Sequence, residues 1–152
     1  MSDQVLLTET LLKQDEILNE LLAVVVSQKE ALKDGRLSDL QSLMSDLRHV
    51  SVRCQAIETK RVKTADELAK TLGCAPIVSE IAAALPPEDA PAVLDAAKAL
   101  LKTVSKLKAE MAILPRLMEE AHTLNEMLIN EWRKLGQSSA GVGSMGSFDT
   151  RI

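Results

Sequence analysis

Apolar residues recur every three to four positions from the start of the chain. Leu7, Leu11, Leu18, Leu21, Val25 and Leu32 fall on one line, and Gln14 and Gln28 complete its alternating steps of four and three. That spacing is the seam of an α-helix lying along another helix, and it predicts a first helix over 4–34. Gly35 stops it, as a residue able to take the left-handed conformation just past a helix end. Leu12, Leu22 and Val26 form a second flank that widens the stripe toward bundle packing. A second helix is predicted over 37–72, with Leu37, Leu40, Met44, Leu47, Cys54, Ile57, Ala65, Leu68 and Leu72 on one side and neither Gly nor Pro inside. It is about 54 Å long at the α-helical rise. Two such helices, joined by a few residues around Gly35, must fold back as an antiparallel hairpin to bury the seam. Arg61 interrupts the stripe; its stem is expected to cover apolar surface while the guanidinium reaches solvent or a carboxylate.

Gly73-Cys74-Ala75-Pro76 ends the hairpin. A short helix over 77–85, with Pro76 at its first turn, leads to the turn Pro86-Pro87-Glu88-Asp89. The next helix, over 91–114, carries Val93, Leu94, Ala97, Leu101, Val104, Leu107, Met111 and Leu114 inward. Lys98, Lys102, Lys106 and Lys108 form its solvated outer face. Pro115 removes a backbone donor and crowds the preceding turn, so a kink or break is expected there. The last helix, over 116–135, is apolar on two adjacent stripes: Leu117, Ala121, Leu124, Leu128 and Leu135, and beside them Met118, Ile129 and Trp132, with Met127 at the rim. Gly136 closes it, and the Ser- and Gly-rich composition of 136–152 is that of a flexible tail. The fold class is therefore all-α: one antiparallel helical-bundle domain over 1–135, built on a long N-terminal helical hairpin, with a flexible C-terminal tail.

Composition narrows the function classes. Apolar residues make up 46% of the 152 positions but aromatics only 1%, which suits helix-on-helix packing by Leu, Ala, Val, Ile and Met. Eighteen basic against 22 acidic side chains leave a net charge of -4, and a single Trp and a single Phe provide no platform for stacked bases, so nucleic acid is not an expected partner. The apolar run Leu21–Val26 is closed in by Glu20, Gln28, Lys29 and Glu30, too short to span a bilayer. Met1-Ser2-Asp3-Gln4 has neither the basic start nor the apolar stretch of a secretory signal. Cys54 and Cys74 lie about 30 Å apart if one helix carries both, beyond disulfide reach, which suits reduced thiols in a cytoplasmic protein.

Catalytic chemistry is not expected. His49 and His122 have no Cys or carboxylate at metal-ligand spacing, and Cys54, five residues past His49, faces away from it around the helix. Gly141, Gly143 and Gly146 follow a helix instead of leading from a strand into one, so they aim no amides at a phosphate. Asp15-Glu16, Asp66-Glu67 and Glu119-Glu120 are sequence neighbours that diverge around their helices. No catalytic, cofactor-binding or metal-ligating residues are assigned. The surplus of apolar surface on the last helix, with adaptable Met side chains, has two readings: burial between neighbouring helices, or a groove for a partner's amphipathic helix.

Three stretches follow in order along the chain: Lys29-Glu30-Ala31-Leu32-Lys33-Asp34-Gly35 at the hairpin turn, Arg61 followed by Leu68-Ala69 and Leu72-Gly73 at the end of the long helix, and Ser79-Glu80-Ile81 through Leu85-Pro86-Pro87-Glu88-Asp89-Ala90 in the connector. In these stretches, and in the order of elements from about Leu6 to Leu135, the chain resembles the FlgN-type flagellar export chaperones of the type III secretion pathway. The family's paired Asn and Tyr-Gly motif are not reproduced: the chain has Asn125 and Asn130 in that region and no Tyr. The resemblance implies a cytoplasmic, non-enzymatic chaperone without cofactors. Its partners would be the amphipathic terminal helices of hook-associated (hook-filament junction) proteins, with export-apparatus components as further partners. Such helices would be held from premature assembly. Leu117, Met118, Leu124, Met127, Leu128, Trp132 and Leu135 are the residues expected to hold the cargo. Monomer and homodimer both remain open, and so does a rival reading as a self-associating coiled-coil scaffold.

Overall fold

The computed structural model describes residues 2–120, with helices α1 (Asp3–Asp34), α2 (Leu37–Leu72), α3 (Val78–Ala84) and α4 (Ala90–Glu120). The predicted seam of α1 is its buried line: Leu7, Leu11, Gln14, Leu18, Leu21, Val25 and Gln28 are all buried, and Leu32 packs against the core from its edge. Of the second flank, Leu22 packs against the core. Leu12 is 52% exposed, and it is Ile17, on the opposite side of the seam, that enters the core.

Gly35 ends α1 with φ 68°, and two reverse hydrogen bonds close the helix: its own N–H to the Leu32 carbonyl and the Arg36 N–H to the Ala31 carbonyl. This is the left-handed cap that glycine adopts without a Cβ penalty. Gly73 repeats the device at the end of α2, with φ 72° and the Cys74 N–H bonded to the Ala69 carbonyl. The chain therefore reverses after Asp34, and cross-helix pairs fix the register of the hairpin. Gln14 meets Glu58 and Glu20 meets Arg53, so α2 descends as α1 rises.

α1 packs against both α2 and α4, while α3 packs against α4 and α2. The pairs Gln4–Asp89, Asp15–Thr103 and Lys29–Glu110 run in the same sense along both chains, so α4 lies parallel to α1 and antiparallel to α2. The result is an up-down-up bundle with α1 in the middle. Its core joins Leu7, Leu11, Leu18 and Leu21 to Met44, Leu47, Cys54 and Leu68 of α2, and to Val93, Leu100, Val104, Leu107 and Leu114 of α4.

The predicted inward stripe of α4 is buried at Val93, Ala97, Val104, Leu107 and Leu114, with Leu94 and Met111 packed against the core, and it differs at Leu101. Leu100 is fully buried and Leu101 only half-buried, because the helix turns Ala96, Leu100 and Thr103 inward beside the Val93–Ala97–Val104 line. Pro76 lies before the first turn of α3, whose N-cap is Ile77. The division expected at Pro115 is not present: α4 is one helix through Pro115. A proline ring leaves the carbonyl four residues earlier, that of Met111, without its helical donor, yet helical structure continues. The side chain of Pro115 is exposed, so this defect sits on the solvated side, while Leu114 beside it is buried.

Candidate functional site

The buried polar groups of the hairpin have a structural role. Arg61 is fully buried and held by Glu58 one turn earlier, through Nε–Oε2 at 2.8 Å and Nη2–Oε1 at 2.6 Å. Gln14 donates its side-chain amide to the same carboxylate at 2.6 Å. Of the two destinations open to the Arg61 head group, the guanidinium takes the carboxylate, inside the core. Glu58 is the member that periodicity does not reveal, since a Glu in a helical pattern reads as solvated; its spacing of three from Arg61 is the only signal. The network joins the two arms of the hairpin.

Cys54 is buried, and desolvation pushes its thiol up to about 12, with neighbouring Arg53 pulling down and Glu20 pushing up by less. A thiol that stays protonated is a poor nucleophile. Both cysteines are free, as expected from their separation. His49 is exposed. No group of three or more His, Cys, Asp or Glu able to hold a metal ion occurs among the described residues. A polar depression of about 310 Å³ beside the hairpin turn is lined by Ser27, Glu30, Arg36, Asp39, Ser42 and Leu43. Its one cation, Arg36, is already held by Asp39 at 2.8 Å and Asp34 at 3.5 Å.

The end of α4 is different in kind. Seventeen residues separate Thr103 from Glu120 and nineteen separate its partner Asp15 from Asp34, which puts Glu120 just short of the level of the turn. Counted from Lys29–Glu110, α4 has ten further residues and α1 five, which puts it beyond the turn. Together the two pairs set Glu120, the last described residue of α4, level with the hairpin turn, to within a helical turn or so. Up to this level α1 supplies the buried face for α4; past it, α1 and α2 have no further length to offer.

Ile113 is 40% exposed and stands one turn before the half-buried Leu117, so an apolar edge runs along α4 as it reaches the turn. Ile113 lies outside the inward stripe, and its spacing of four from Leu117 is the signal by which the sequence could have shown it. Of the residues expected to hold cargo, Leu117 and Met118 belong to α4. The side chain of Met118, and Leu124, Met127, Leu128, Trp132 and Leu135, lie outside the described residues, as do His122 and the tail expected over 136–152.

A bundle of this order, with the hairpin cap at Gly35, the buried Arg61 and the connector into α4 in place, is matched over residues 1–141 by the family model described as FlgN protein. The chain belongs to the FlgN family. No curated protein and no solved structure matches it. FlgN proteins are chaperones of flagellar export, and that general role is this chain's. No helix among the described residues is long and apolar enough to cross a membrane. In this FlgN chain the long hairpin is the frame, and α4 is the element that carries an apolar edge to the end of that frame.

Proposed function

We propose that this FlgN protein is a cytoplasmic holding chaperone that captures the amphipathic terminal helices of hook-associated proteins and keeps them from premature assembly until export. The cargo surface begins at Ile113 and Leu117 on α4 and continues through Met118, Leu124, Met127, Leu128, Trp132 and Leu135. The observation that carries this reading is the level of α4 against the hairpin. The apolar spacing of the sequence goes on past Glu120, and by Glu120 α4 has reached the level where α1 ends and α2 begins. A cargo helix would lay its own apolar face on this surface, a helix-in-groove mode that unbranched Met side chains accommodate well.

Four buried aliphatic anchors contribute about 6–12 kcal/mol gross. Ordering the cargo costs about 2–5 kcal/mol and lost rigid-body freedom several more, so micromolar or weaker binding follows. Such binding suits a protein that must let go, with export-apparatus components as the receivers. The test is calorimetry of the full chain against the terminal helices of secreted axial proteins. Trp132→Ala combined with Met127→Ala should weaken capture at least tenfold, while helicity and melting stay close to the parent. Unfolding of that double variant would make these residues core and sink the assignment.

A further inference from the structure

Between Asp95 and Glu110, α4 carries four lysines and no carboxylate. Lys98, Lys102 and Lys106 follow one another at steps of four, on one edge of the helix, and all three are exposed. None of them forms an ion pair among the described residues, whereas on the hairpin Lys13 pairs with Glu16, Arg36 with Asp39 and Arg53 with Glu20. Like charges at a spacing of four repel one another, so the row costs the isolated helix something and returns nothing to it. Half-buried Leu101 lies between the first two lysines and is not part of the core. The edge thus pairs an apolar foothold with a line of unanswered cations.

We infer that this edge of α4 is a docking surface for a carboxylate-rich amphipathic helix of another protein. The row runs for two turns, about 12 Å, and is one side chain wide, dimensions that a partner helix with Glu at matching steps of four can follow. A broad polyanion is a poorer fit. The chain is net negative, and α1, which packs along α4, bears seven acids against three lysines. A bilayer surface or a nucleic-acid duplex would therefore be repelled as well as attracted. The surface is separate from the cargo surface proposed above, and its partner need not be cargo.

The test is an NMR titration of the isotope-labelled full chain with a synthetic amphipathic helix carrying Glu at every fourth position. The same peptide with Gln at those positions serves as the control. Shifts should cluster on residues 98–106, shrink at high salt and be absent with the Gln peptide. Lys98→Gln/Lys102→Gln/Lys106→Gln should lose about tenfold in affinity at low salt with unchanged circular dichroism, since each surface pair is modest but the three act together. Shifts that map elsewhere, or that persist with the Gln peptide, overturn the inference. So does binding to phosphatidylglycerol vesicles without binding to the Glu peptide, and so does a salt-sensitive self-association that the triple variant abolishes. Capture of hook-associated helices, measured in parallel, should be unaffected by the triple variant, so failure here leaves the proposed cargo function standing.

Discussion

Arg61 and Glu58 face each other on α2 across a single helical turn, joined by two hydrogen bonds of 2.8 and 2.6 Å in the interior of the bundle. Gln14 reaches the same carboxylate from α1, so one ion pair and one amide hold the two arms of the hairpin in register. A one-turn slip of α1 against α2 would strand Glu58 and Arg61 without that amide.

Breaking the pair from one side is therefore expected to be costly. Arg61→Met leaves the Glu58 carboxylate buried with Gln14 as its remaining support and should destabilise the fold by about 3–5 kcal/mol. Glu58→Leu/Arg61→Met removes both charges and should recover most of that loss. Urea denaturation of the three proteins measures it, and a double variant as unstable as the single one would contradict the account.

Gln28 sits fully buried on the seam of α1 with neither its amide oxygen nor its amide nitrogen bonded. Gln28→Met keeps the length of the side chain and removes the unmet polar atoms. Stability should rise by about 1–3 kcal/mol, visible as a higher denaturation midpoint with an unchanged slope.

Burial of the Cys54 thiol predicts a dependence on alkaline pH. Its folded value of about 12 lies above the ordinary 9.0, so the folded state binds the proton more tightly than the unfolded state. The associated stability is complete below about pH 9 and declines as pH rises toward 12, by about 1.4 kcal/mol per unit at the steepest. Comparing unfolding of the parent and Cys54→Ala between pH 8 and 10.5 isolates this one group. The same burial should make Cys54 much slower than the half-buried Cys74 to react with a thiol reagent under native conditions.

Ile113→Asp tests the upstream end of the cargo surface. The side chain is 40% exposed, so folding should change by less than about 1 kcal/mol. Affinity for hook-associated helices should fall about tenfold or more if Ile113 is one of the anchors. Equal affinity in the variant would move the start of the surface past Pro115.

The two long helices are legible because their seam keeps its spacing through Gln14, Gln28 and Arg61, and because a glycine ends each of them. Even the two Gln residues on the predicted line of α1 are buried, since position, not polarity, decided their place. What the pattern could not show are choices between neighbours. Leu100 and Leu101 are equally apolar, and only the docking of α4 on α1 turns the first inward. Leu12 and Ile17 differ in the same way. Pro115 looked like a boundary because its local cost is large, yet burial of Leu114 and the packing of α4 on α1 carry the helix past it. As for the site, Leu117 was identified from sequence as part of an apolar surface, whereas Ile113 needed the exposure of its side chain to be noticed.

The central position of α1 sets the order in which the molecule can be completed. Its contacts with α2 close across 44 residues at Gln14–Glu58, but those with α4 close across 88 at Asp15–Thr103. During synthesis α1 leaves the ribosome before α4 and can zip onto α2 while α4 is still being made, and it waits with one oily side uncovered. That interval is when the nascent chaperone is itself in need of shelter.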